Sequence, residues 1–153
     1  MINAKKLLQL FYAGALADSV NYYSRAGILE SVTEAKLRQQ QVAAPGQLRQ
    51  LNINTPEELF SQFSEIFGCI DWKVTQGGED INAYGESCLL CSIAKRTGTS
   101  QPCNIYCINP FRSLSGAMDP SYSLTVKETL WEGGKCEFIL EKTKKDRNEN
   151  KKF

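Results

Sequence analysis

Five of the six cysteines in this chain fall between residues 88 and 136, as Cys88-x2-Cys91, a gap of 11, Cys103-x3-Cys107, a gap of 28, and then Cys136. Two close pairs of thiolates can surround one tetrahedral ion at about 2.3 Å each, the geometry of structural zinc. The spacing therefore makes Cys88, Cys91, Cys103 and Cys107 a candidate metal site, and Cys136 can stand in for one of the four. An iron–sulfur cluster accepts the same donors. Zinc ribbons carry x2 on both sides of a longer gap, so this chain departs from that pattern. A Cys-x-x-Cys at a helix start can also be a redox or nucleophilic pair, because the helix N-terminus favours thiolate. That motif usually follows a strand in a βαβ unit, and no such unit is evident.

The bland reading stands beside these, since a free cysteine often packs as a small hydrophobe. Cys69 has no partner nearby in sequence and is expected in the core. Cys136 alternates with Phe138 and Leu140 and is expected to point inward with them. The chain has no histidine, which excludes Ser-His and Cys-His nucleophile pairs, His-ligated haem and Cys2His2 zinc. Proton transfer would fall to a carboxylate, Lys, Tyr, thiol or bound water.

The elements that must position these groups are partly readable. Leu7, Leu8, Leu10, Phe11, Leu16 and Val20 recur at helical spacing from about residue 4 to 25, and Gly27 marks the stop. A second helix is expected from Ser31 or Thr33 to Gln41, ended by Pro45 and Gly46. Thr55-Pro56-Glu57-Glu58 offers a cap, a proline at the first helical position and a glutamate three residues after the cap. Leu59, Phe60, Phe63, Ile66 and Phe67 then form a wide apolar face, read as core packed on a sheet or on the first helix. Ile70 to Val74 reads as a short strand, Gly77-Gly78 as a turn and Ile81 to Tyr84 as extended chain. Gly77-Gly78 begins no phosphate-binding pattern.

A helix is expected from Cys88 to Lys95 with its stop at Gly98, then loop from Thr99 to Pro120 with a short strand over Ile105 to Ile108. A terminal hairpin alternates Tyr122, Leu124, Val126 and Leu130 against Cys136, Phe138 and Leu140. A two-residue Gly133-Gly134 loop would set these on opposite faces, so an odd-length loop or a bulge near Trp131 is expected. The fold class is α+β: N-terminal helices on an antiparallel sheet that ends in this hairpin. Residues 1–143 read as one domain and 144–153 as a charged, solvated tail.

The helix holding Cys88 and ending at Gly98, then Cys103-Asn-Ile-Tyr-Cys107, then the hairpin from Lys127 through Gly133-Gly134 to Cys136-Glu-Phe138, resemble the L-2-amino-thiazoline-4-carboxylate hydrolase-like family. The closing Gly-x-x-Cys-x-Phe is also similar to the vinyl reductase (4VR) small-molecule-binding domain. These resemblances cover about 55 residues and imply helices on an antiparallel sheet, a pocket between the layers and metal held by cysteines. Cys88, Cys103, Cys107 and Cys136 match the recurring cysteines. Asn109 stands where the hydrolase-like family carries an acidic residue, and Leu130 or Trp131 where the 4VR type adds a cysteine.

Two functions follow from these readings. The first is a sensor-like small-molecule-binding domain with a cysteine-built zinc site, its ligand anchored by Tyr84, Tyr106, Arg112 and Trp131. The alternative is a hydrolase opening a small heterocyclic carboxylate with metal-bound water or a thiolate, Cys103 being one candidate, and Glu86, Asp119 or Glu128 as base. Glu128 alternates with Leu124, Val126 and Leu130, which would aim it at the covered face; its bland reading is an edge-strand charge in water. The net charge of +1, with 42% hydrophobic and 23% charged residues, is that of a soluble globular chain without a nucleic-acid footprint. The first helix is interrupted by Lys5, Lys6, Asp18 and Arg25, so no membrane span is expected, and no signal-peptide pattern opens the chain. A cytoplasmic site follows, where cysteines stay reduced. The N-terminal helices carry enough apolar surface for a homodimer.

Overall fold

A computed structural model of the protein describes residues 3–143. The charged run expected as a tail lies outside the described residues. In chain order come α1 (Ala4–Arg25), α2 (Leu29–Gln50), α3 (Pro56–Ile66), β1 (Lys73–Gly77), β2 (Asp80–Gly85) and α4 (Leu89–Thr97). A π-helical turn over Asn104–Ile108 leads directly into α5 (Asn109–Met118), followed by β3 (Tyr122–Glu128) and β4 (Cys136–Lys142). The strands form one antiparallel sheet in the order β1-β2-β4-β3. The fold is α+β, as the hydrophobic patterning required.

The sheet buries one face. Ile81 and Ala83 on β2, Cys136, Phe138 and Leu140 on β4, and Leu124 on β3 alternate inward, and α3 and α5 lie over them. The contact between layers is aromatic. Phe111 of α5 stacks on Phe60 with ring centroids 4.8 Å apart and meets Phe138 edge-on at 5.7 Å, while Trp72 packs 4.9 Å from Phe138. Such pairs contribute about 0.5–1.5 kcal/mol each beyond the area they bury.

α3 begins as its sequence dictates. The Thr55 hydroxyl accepts from Glu58 N–H at 3.2 Å, and the Glu58 carboxylate accepts from Asn54 N–H at 3.1 Å. Its end is closed from α1, where the Gln9 amide donates to the carbonyls of Glu65 and Ile66, each at 3.1 Å. Gly68, at φ +66°, leaves room for that Gln9 side chain. Gly27 and Gly98 end α1 and α4 in the left-handed conformation expected of them.

Four expectations need correction. α2 does not stop at Gln41 but continues through Pro45 to Gln50. The exposed proline ring sits on the outer side of the helix while Ala44 and Leu48 are buried on the inner side, so packing outweighs the lost N–H. The stretch read as loop with a strand is the π-helical turn and α5. Pro110 directly follows the π-helical turn, and Phe111 and Leu114 bury one face of α5. α1 packs on α4, buries the small Ala13, Ala17 and Val20 and leaves Leu8 and Phe11 about 70% exposed. β1 starts at Lys73, three residues later than Ile70. The hairpin bulge lies at Lys127 rather than near Trp131. Val126 pairs with Phe138 and Glu128 with Glu137, which keeps Leu124 and Val126 on the face of Phe138 and Leu140.

Candidate functional site

Cys88 follows β2 and occupies the N-cap of α4, its sulfur accepting Cys91 N–H at 3.4 Å. Cys91, on the first turn of α4, places its sulfur 3.8 Å from that of Cys103, which opens the π-helical turn. Three sulfurs thus follow one another, each next to the second. The Cys91 S–H donates to Cys88, and this together with the helix-start N–H groups of Cys91 and Leu90 outweighs burial and brings the Cys88 thiol down to about 7. Cys91 is pushed strongly upward because its proton is held by its two sulfur neighbours, Cys103 first. A bond from Cys91 lowers Cys103 as well. One S–H cannot serve both acceptors at once, so thiolate character settles on Cys88 or on Cys103, not on both.

The other thiols stand apart. Cys136 accepts Leu130 N–H at 3.3 Å, yet burial pushes it up to about 11. Burial likewise raises Cys69 to about 11, with Cys88 beside it adding to the effect. Cys107 is half-buried and lines a cavity; burial drives its thiol far upward. Among the described residues no three Cys, Asp or Glu side chains form a group able to hold a metal ion. Metal–sulfur bonds of about 2.3 Å require tetrahedral edges of about 3.8 Å, and Cys91 with Cys103 spans one such edge. A third ligand does not join them, so the arrangement as it stands does not fit a four-cysteine zinc site.

The cavity has a volume of about 430 Å³ and lies between α1, α2, α3, α5 and the π-helical turn. Phe63, Phe67, Trp72 and Phe111 give the lining an aromatic part, and Cys69, Cys88 and Cys107 also line it. α2 contributes Lys36, Gln40, Gln47 and Gln50 to the same lining. The Gln40 amide donates to the Ile105 carbonyl at 3.3 Å, but its buried Oε1 has no partner. Tyr106 bonds Ser19 of α1 at 2.5 Å through its hydroxyl and lies under the Lys36 ammonium, 5.9 Å from the ring centroid. Burial pushes the Tyr12 hydroxyl up, so it remains a donor at the wall. The π-helical turn sets Tyr106 and Cys107, adjacent in sequence, on the same cavity, and the Asn109 N–H reaches back to Asn104 to close it. Such turns recur at functional sites.

Of the four anchors expected for a ligand, Tyr106 lines this cavity. Tyr84 lies on the outer face of the sheet beside Lys73, with the ammonium 6.0 Å from its ring. Arg112 is exposed on α5, and Trp131 packs under Lys95 in the hairpin loop at 5.6 Å. Glu128 does not reach the covered face. The bulge at Lys127 reverses its side, and its carboxylate accepts Gly134 N–H at 2.9 Å. Asp119 accepts from Ser121 N–H and Oγ at 2.9 and 2.8 Å, which hold its carboxyl below the usual range, so it caps a turn. Glu86 is exposed.

Sequence reasoning missed the α2 stripe. Lys36, Gln40 and Gln47 fall on one side of a helix, a signal present in their spacing but cut off by ending α2 at Gln41. It also took Phe63 and Phe67 for core, whereas Leu59 and Phe60 are the buried pair of α3 and Phe63 and Phe67 face the cavity. Comparison with protein-family models, curated proteins and solved structures finds no match. Among the described residues no helix is long and apolar enough to cross a membrane.

Proposed function

We propose that this chain is a small-molecule-binding domain of the sensor-like kind its 4VR resemblance implies, with the ligand in the cavity between α2, α3 and α5. The observation that carries this reading is the mixed lining: aromatic rings share the cavity with a row of amides and one ammonium, and Gln40 Oε1 is an acceptor without a donor. A buried acceptor left unpaired costs about 1–3 kcal/mol, which a ligand N–H or O–H would recover. The volume of about 430 Å³ lies within the range of about 300–1,000 Å³ typical of small-ligand sites. The ligand this lining suits has a flat apolar body, a donor toward Gln40 and an acidic or acceptor group toward Lys36.

Anilinonaphthalene sulfonate, an apolar anion, is the probe that tests this. Saturable binding that Leu114→Trp abolishes and Gln40→Leu weakens, both variants melting as cooperatively as the parent, supports the reading. Binding unaffected by Leu114→Trp removes it. Binding is favoured over hydrolysis of a heterocyclic carboxylate because Glu128 and Cys103 do not line the cavity. A cysteine-bound zinc ion, the other half of the expected function, rests on one observation, the Cys91–Cys103 separation of 3.8 Å. Metal analysis of protein purified without chelator tests it, and less than a tenth of an equivalent of zinc or iron would set it aside.

A further inference from the structure

Two cysteines in sulfur-to-sulfur contact, with a third behind the first and no further ligand beside them, form a dithiol more completely than they form a metal site. We propose that Cys91 and Cys103 are a reversible dithiol–disulfide pair, charged through Cys88, that ties α4 to the start of the π-helical turn. The inference does not depend on the cavity holding a ligand.

Geometry carries it. The pair is 3.8 Å apart and has to close to about 2.05 Å, a motion within reach of side-chain rotation on two elements that already touch through these sulfurs. All three thiols are buried, Cys88 at 9%, Cys91 at 5% and Cys103 at 6% exposure, but neither Cys91 nor Cys103 lines the two cavities that Cys88 lines. Cys88 is placed to receive an oxidant. It lines the cavity already described and also a second, more open one bordered by Lys6, Gln9, Ser87 and Ser92. Its sulfur touches the N–H of Cys91 at 3.4 Å, the next member of the series.

The chemistry balances with a low-molecular-weight disulfide, RSSR, as oxidant. The Cys88 thiolate attacks one sulfur of RSSR, forming a mixed disulfide and releasing RS⁻. Cys91 gives up its proton, attacks the Cys88 sulfur and releases the second RS⁻. Cys103 gives up its proton, attacks the Cys91 sulfur and returns Cys88 to thiolate. Two protein thiols have lost two protons and two electrons, and RSSR has become two RSH. The product joins α4 to the turn that presents Tyr106 and Cys107, so oxidation state is coupled to one wall of the cavity.

Oxidised glutathione on the full chain, with tryptic mapping by mass spectrometry, tests the proposal. Trypsin leaves Cys88 and Cys91 in Val74–Lys95 and Cys103 and Cys107 in Thr97–Arg112, so the expected product is these two peptides joined through Cys91 and Cys103, and dithiothreitol separates them. Cys88→Ser keeps an N-cap side chain and should fold. It is expected to reach the same product on the order of tenfold more slowly, because the remaining thiols are protonated or screened. A stable product linking Cys88 to Cys91 or Cys69 to Cys88, six thiols left free, or an unchanged rate in Cys88→Ser would overturn the proposal.

Discussion

Cys88 carries two jobs in one sulfur, closing the end of α4 and lining two cavities. Its value of about 7, held down by the Cys91 bond against burial, predicts that iodoacetamide alkylates it along a curve with a midpoint near pH 7, while Cys69 and Cys136 require a pH near 11. Mapping of alkylated peptides across pH checks this order. The same values fix a sign for stability. Lowering in the folded state makes the Cys88 contribution present above the ordinary thiol value of 9.0 and lost as pH falls through about 7. For Cys69 and Cys136 the folded state favours the neutral thiol, so their contribution is complete below 9.0 and lost as pH rises through about 11. Stability measured by urea melts should therefore pass through a maximum between these limits. A second residue-scale test is Gly85→Ala, whose added Cβ would run into the buried Ile70 side chain. Overpacking of this kind costs about 1–3 kcal/mol and should lower the urea midpoint. Residue signals with a local cause, such as Thr55 at a cap or Gly98 at a helix end, were legible because a few adjacent atoms decide them.

At the scale of elements, the early end given to α2 came from a proline read as a stop. Pro45 stands inside α2 with its ring outward, and the lost N–H and the crowding of Gln41 cost up to about 3 kcal/mol. Proline also restricts the unfolded chain, which offsets up to about 1 kcal/mol. Pro45→Ala is therefore expected to raise stability by about 1–2 kcal/mol and the thermal midpoint by a few degrees, read by circular dichroism. No rise would mean that the helix is already bent to suit the ring. Pro110 follows a different kind of turn, the π-helical turn at Asn104–Ile108, which winds directly into α5. A single sequence does not distinguish these placements, because the turn ahead of each proline is set by packing. Deleting Asn104 should convert that turn toward α geometry and rotate Tyr106 and Cys107 away from the cavity. Loss of anilinonaphthalene sulfonate binding with retained helix content would be the readout.

For the whole molecule, the sheet presses its alternating apolar face against α3 and α5, and the space left between α1, α2 and that aromatic layer is the cavity. The exposed Leu8 and Phe11 on α1 are the surface a homodimer through the N-terminal helices would use; sedimentation of the parent against Leu8→Glu with Phe11→Glu decides whether it does so. The sequence by itself determined the α+β class, the start of α3, the ends of α1 and α4 and the pairing sense of the last hairpin, because side-chain period and turn chemistry are local. It also brought the thiols to attention. Only the tertiary structure decided which of them meet. Cys91 on α4 and Cys103 at the start of the π-helical turn touch because the fold packs these two distant segments together, whereas Cys107 lines the cavity and Cys136 is drawn to the hairpin backbone. The polar side of the cavity was decided at the same level, since Lys36, Gln40 and Gln47 become one wall only when packing carries α2 past its own proline.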